Sequence, residues 1–254
     1  MKNKKLIMPV IILLLTNSFL ATSQVLKGEI IYTQQIVDNI IDSIYIKKKN
    51  KSISNVLGYI NQTLNNYNNE FEFKLTFNQN ESIYKMVNKL EKDDDKSYQI
   101  AVALSRGRDI NYINLKTKEI LVKERAYGKL FIVKSDLNHI KWKLHNETKK
   151  IDKYTCYKAT TVKIVKNSKG TFRKTVIAWY APKIPLNYGP KGYGNLPGLI
   201  LELQEGKFKY HVTKLTLNPK KKITIQKPTK GKFVTLQEFD SLSNKLSKSF
   251  WDNK

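Results

Sequence analysis

Cysteine is almost absent from this sequence. A single residue, Cys156, stands among 254, which excludes an internal disulfide framework and any zinc site built on a cysteine cluster. Arginine is nearly as scarce: only Arg106, Arg108, Arg125 and Arg173 among 46 basic residues, the rest being lysine. Recognition of phosphate and bases favours the two-pronged guanidinium, and the lysines are scattered, with short runs only at Lys47–Lys51 and Lys220–Lys222. The net charge of +25 therefore reads as a solvated lysine surface, with contact to anionic lipid or polysaccharide as the alternative. A nucleic-acid groove is excluded as the explanation.

Enzyme signatures are missing too. There is no Gly-x-Ser-x-Gly, no phosphate-binding Gly-rich loop, no His-Glu-x-x-His and no Gly-x-Gly-x-x-Gly. The three histidines, His139, His145 and His211, fall on or beside expected strands and do not form a metal set. Asp93, Asp94 and Asp95 lack the glycine and the bidentate glutamate of a calcium loop. Glu202 and Glu205 are three apart, which on a strand places them on opposite faces. Cys156 lies within an alternating segment and reads as a buried, inert thiol. No catalytic residue, metal or cofactor is assigned.

What is present begins with the N-terminus. Lys2, Lys4 and Lys5 precede the apolar run Leu6–Leu15, and Ala21-Thr22-Ser23 follows a polar stretch. This is the layout of a signal peptide over residues 1–23, cleaved before Gln24. Ten apolar residues are too few to span a bilayer, which takes about 20. Without a cysteine at the cleavage site no lipoprotein anchor forms. The sequence thus predicts export to the periplasm, the outer-membrane periphery or the medium, with no transmembrane helix in the mature chain.

Beyond residue 24 the hydrophobic pattern is mostly of period two. Strands are expected over Gly28–Ile36, Glu70–Phe77, Glu81–Val87, Tyr98–Leu104, Asp109–Leu115, Glu119–Ala126 and Lys129–Lys134. They continue through Lys141–His145, Tyr154–Val165, Thr171–Tyr180, Leu199–Glu205 and Lys207–Leu217, with Lys89–Lys96 as a charged loop and Asn167–Gly170 as a hairpin turn. Helical spacing marks Ser52–Asn66, and again Thr235–Trp251, where Thr235 and Glu238 fit a capping box. With no Pro/Gly/Ser-rich linker and no repeat, residues 24–254 read as one mainly β domain. Its expected form is a single antiparallel curved sheet or incomplete barrel of about 9–11 strands, with a helix near each end.

The densest segment is Ile184–Leu203, which holds Tyr188, Gly189, Pro190, Tyr193, Asn195, Leu196, Pro197 and Gly198. Glycines permit unusual backbone angles and prolines fix them, so this is a shaped loop. It either seals one end of the sheet or presents Tyr188, Tyr193 and Leu196 to a ligand or partner.

The motif Asn195-Leu196-Pro197-Gly198-Leu199-Ile200 resembles the Gly-Leu-Pro-Gly-Leu-Ile signature of the GLPGLI family. Trp142-Lys143-Leu144, then Ile151, Tyr154, Cys156, Lys158 and Ala159, resembles the family's preceding block. Ala178-Trp179-Tyr180, Ile184-Pro185 and Gly189-Pro190 resemble the next. Asn195 replaces the first glycine, and asparagine tolerates the left-handed conformation best after glycine. The resemblance implies an exported protein of Bacteroidetes-type bacteria and supplies no catalytic residue. A weaker likeness is to the lipoprotein carriers of the periplasm, whose half-barrel shelters acyl chains. The expectation is a non-enzymatic envelope protein binding or carrying a lipid or hydrophobic peptide. The alternative is an accessory subunit of an envelope complex, contacting its partner through Tyr188–Leu199. The candidate binding residues are Trp142, Cys156, Trp179, Tyr180 and the loop residues named above.

Overall fold

A computed structural model describes residues 26–88, 94–167 and 170–252. The expected signal peptide lies outside the described residues, as do Asp93, most of the Lys89–Lys96 loop and the tip of the Asn167–Gly170 hairpin. Among the described residues the chain forms twelve strands and four α-helices. The first half contributes β1 (Gly28–Ile36), α1 (Ser43–Lys47), α2 (Lys51–Asn66), β2 (Glu72–Phe77), β3 (Glu81–Met86), α3 (Lys96–Leu104), β4 (Ile110–Asn114), β5 (Glu119–Ala126) and β6 (Lys129–Asp136). The second contributes β7 (Lys143–Ile151), β8 (Tyr154–Asn167), β9 (Gly170–Ala181), β10 (Leu199–Glu205), β11 (Phe208–Leu217), β12 (Lys232–Thr235) and α4 (Leu236–Asp252).

All twelve strands belong to one sheet, in the order β12-β6-β5-β4-β3-β2-β1-β11-β10-β9-β8-β7. Every pairing is antiparallel except that of β12 with β6. The mainly β, unclosed sheet with a helix near each end is the architecture the alternation predicts. Its curvature follows from α4, which packs against β12 and β6 and also against β8. Nine strand spacings separate β6 from β8 in that order, about 43 Å in a flat sheet. A helix of 17 residues reaches only about 26 Å, so the sheet curls toward it.

Register sets which side chains face inward. Tyr32 stands opposite Phe73, Ile30 opposite Leu75 and Leu75 opposite Tyr84, while Gln34 faces Tyr210 and Tyr210 faces Leu203. This row continues through Ala178 and Ala159, and all but Gln34 belong to the main core cluster. Against it pack α2 and α3, through Leu64, Tyr98, Ala101 and Val102. The crossover between β9 and β10 covers a second part, and Phe239 of α4 meets Phe131 edge-on at 5.4 Å.

One expected element is of the other type. Tyr98–Leu104, expected as a strand, is within the helix α3, because Asp95 caps it by accepting from the Ser97 and Tyr98 amides at 2.9 and 3.1 Å. Tyr98, Ala101 and Val102 then share its buried face, a spacing that fits a helix as well as alternation fits a strand. The expected helix at Thr235 is capped as its sequence suggests: Glu238 N–H donates to Thr235 Oγ1 at 3.1 Å, and Thr235 N–H to Glu238 Oε2 at 2.7 Å. Among the described residues no helix is long and apolar enough to cross a membrane.

Candidate functional site

The β9–β10 crossover folds back on itself through its own backbone. Leu199 and Ile200 amides donate to the carbonyls of Ile184 and Tyr188 at 3.0 Å each, and Asn195 N–H donates to Asn187 O at 3.1 Å. Asn195 adopts φ 65°, the left-handed turn expected of it. Gly198 sits at φ 150°, and a Cβ there would lie 2.4 Å from Ala181 O. A Cβ on Gly194 would lie 2.5 Å from Asn187 O. The motif is thus a backbone-to-backbone clasp that tolerates no side chain at these two points.

Two hydrogen bonds fasten the clasp to the sheet. Trp142 Nε1–H donates to Gly194 O at 2.8 Å, with its ring 6.0 Å from that of Tyr193, and Tyr32 O–H donates to Ile200 O at 2.7 Å. Tyr188 packs against Phe77 at 6.1 Å. The structure therefore brings Trp142, Tyr188, Tyr193 and the loop glycines together on the inner side. Tyr188, Gly189, Pro190, Tyr193, Leu196 and Gly198 are buried, as is Tyr180; Asn195 and Pro197 are exposed. Trp179 and Cys156 belong to the opposite face. There Lys149 lies 4.5 Å over the Trp179 ring and 2.7 Å from Glu202 Oε1, and Lys149 is the register partner of Cys156. Burial pushes the Cys156 thiol up to about 11, Lys149 acting weakly against it, so the thiol is protonated and a poor nucleophile.

Behind the clasp is a charged cluster that no local pattern announces. Glu205, at the end of β10, lies 2.6 Å from Lys163 Nζ of β8 and 2.8 Å from Lys191 Nζ of the crossover. Lys191 also stands 5.3 Å from the Tyr210 ring centroid. Burial alone would raise the Glu205 carboxyl, but the two ammonium groups outweigh it and hold the group at about 2. Asp109 is raised by burial, with Arg106 at 2.6 Å opposing the rise; Arg106 also pairs with the buried Glu124. Tyr193 and Tyr210 are pushed well above the ordinary phenol range by burial. Glu205 stays ionised and these phenols stay protonated around neutrality, so the groups hold charge and shape and exchange no proton there. The one sequence signal is Glu205 itself, an acid two residues past Leu203, whose inward face it shares.

A separate shallow cleft of about 550 Å³ lies where β3 meets the turn before β4, edged by Lys74, Lys85 and Arg108. Its cations are partly engaged, Lys74 with Glu29 at 3.4 Å and Arg108 with Gln99. Among the described residues no group of three His, Cys, Asp or Glu side chains could hold a metal ion. His211, on the outer face opposite Glu202, is lowered by burial and by Lys209.

An open, curled, mainly antiparallel sheet clasped by one crossover is the class that these features define. A family model described as "Protein of unknown function (Porph_ging)" matches residues 142–175 and 168–202, the stretch from Trp142 through the clasp to Glu202. No curated protein matches. Among solved structures, "Structure of PNGF-II in P21 space group" aligns with 16% identity and a TM-score of 0.50, over 85% of this chain and 33% of that one. "Structure of PNGF-II in C2 space group" aligns with 16% identity and a TM-score of 0.48, over 85% and 32%. The chain spans about a third of the length of those structures. At such identity the likeness concerns the fold alone.

Proposed function

We propose that this chain is an exported cell-envelope protein of the GLPGLI type that acts without catalysis, by binding through its exterior. The observation that carries this reading is the filled inner face. Tyr32, Phe73, Tyr84 and Tyr210 form a connected set of rings 5.2–6.0 Å apart, Phe77 and Tyr188 form another, and all six are at most 3% exposed. A carrier of lipid or hydrophobic peptide needs an apolar space of several hundred Å³ for its cargo, and here the protein's own side chains occupy the equivalent position. The phenols and the Cys156 thiol, protonated at neutral pH, and the Glu205 carboxylate, ionised there, support a role other than chemistry.

The test is native mass spectrometry of the protein purified from its own host, with N-terminal sequencing and osmotic-shock fractionation of the same cells. The expected result is an unliganded mass and a chain that begins at Gln24 in the envelope fractions. A lipid or peptide that co-purifies at unit stoichiometry would restore the carrier reading. An uncleaved chain in the cytosol would overturn export. The accessory-subunit reading keeps one foothold, since Pro185, Asn187, Asn195 and Pro197 are exposed along the clasp. Its test is Asn187→Arg with Pro197→Arg, which leaves the buried Tyr193 and Leu196 in place and should abolish capture of a partner if that surface is used.

A further inference from the structure

The two helices after β1 stand apart from the core along half their length. In α2 the apolar stripe runs Ile53, Val56, Leu57, Ile60, Leu64, at the spacing of one helix face. Its C-terminal end is buried, Leu64 at 1% exposure, whereas Ile53 and Val56 are 44% and 57% exposed. Beside them α1 presents Ile44 and Tyr45 at 65% and 49%. The two helices pack together, and Ser54 Oγ–H donates to Ile46 O at 2.8 Å, so they form one hairpin arm. At its tip are Lys47, Lys48, Lys49 and Lys51, and from Ser43 to Tyr67 there is no acidic residue. Asp42, just before, is committed to capping α1, accepting from the Ile44 and Tyr45 amides at 2.7 and 3.1 Å.

We infer that this arm docks the protein on the surface of an anionic lipid bilayer. The inference rests on the exterior-binding reading and names its partner. Exposed isoleucine, valine and tyrosine next to lysines, with no acid between, is the composition of a helix that lies in a membrane interface. The apolar side chains enter the headgroup boundary, and the lysine stems run along it with their ammonium groups toward lipid phosphate. Tyr45 fits the same plane, and its ring already lies 4.6 Å from Lys49 Nζ. A protein partner with an acidic groove is the competing occupant. The bilayer is favoured because the apolar and basic residues lie side by side on the half of the arm that stays exposed among the described residues.

The test is co-sedimentation of the full chain with vesicles of phosphatidylcholine alone and of phosphatidylcholine with phosphatidylglycerol. Binding to the anionic vesicles only, weakening with added salt, is expected. Each lysine near an anionic leaflet contributes roughly a fivefold factor, so Lys48→Gln with Lys49→Gln should weaken binding on the order of 20-fold. Ile53→Ser with Val56→Ser should weaken it at unchanged charge. Replacing Lys221 and Lys222 by glutamine controls for net charge, and every variant is read against the parent chain. Equal loss in that control, or full binding by both arm variants, overturns the inference. Either outcome leaves the exterior-binding reading standing, because that falls only to a ligand found inside.

Discussion

Glu205→Gln isolates the charged cluster behind the clasp. The glutamate side chain is 10% exposed and bridges Lys163 and Lys191, which bring its carboxyl from the ordinary 4.5 to about 2 despite burial. A folded-state value below the unfolded one means that the folded protein favours the ionised form. The stabilisation is then complete above about pH 5 and is lost as pH falls toward 2. At 1.36 kcal/mol for each tenfold change in proton affinity, the difference corresponds to about 3 kcal/mol. Glutamine keeps the shape and removes the charge, so at pH 7 the variant should unfold with about 3 kcal/mol less stability by urea titration. Below pH 2 the parent is itself protonated, and the two curves should converge. A gap of the same size at pH 7 and pH 2 would refute ionisation as its source, and no gap at either pH would refute the cluster's contribution altogether.

Gly198→Ala should lower stability by roughly 2–4 kcal/mol, read as a drop in Tm, because its Cβ would collide with Ala181 O. Gly128→Ala, at φ 74° with nothing within 4 Å, should cost only about 1 kcal/mol. Tyr32→Phe removes a buried hydrogen bond to the Ile200 carbonyl and should cost about 1–2 kcal/mol in the same assay, with no change in fold by circular dichroism. Cys156, with no exposure and a thiol near 11, should resist iodoacetamide at pH 8 until urea unfolds the chain. Rapid labelling of the native protein would contradict the burial.

Local order was the legible part of this sequence. The spacing of Ile53, Leu57, Ile60 and Leu64 marks α2 within a residue of its observed start, and the Thr235 and Glu238 pair marks α4 because a capping box is written within four consecutive letters. Phe71, Phe73, Leu75 and Phe77 alternate inward as expected, since a sheet with one covered face imposes that period. Tyr98–Leu104 failed because seven residues satisfy both periods, and the deciding signal was the cap at Asp95, outside the apolar pattern. The four-residue β12 escapes the pattern for another reason: its pairing is parallel to β6, whose partner residues lie just over a hundred positions earlier. The charged cluster was illegible because Lys163, Lys191 and Glu205 come from three segments, and only the curl of the sheet and the path of the crossover bring them together. The loop motif was visible, but its tyrosines turn inward and bind the protein to itself.

The sheet order bears on how the chain reaches its native state. The strands β2 to β6 form one run of neighbours and β7 to β11 another, so each half can pair soon after it emerges. The seam between the halves is β1 against β11, where Gly28 meets Leu217, a contact that must wait for nearly the whole polypeptide. Until then β1 has an open edge, the kind of surface that invites pairing with another molecule. A late-closing seam slows final folding, and a slow folder remains threadable. Under the export proposed above, that delay would leave one edge of the first strand unpaired while the last strands are still to come.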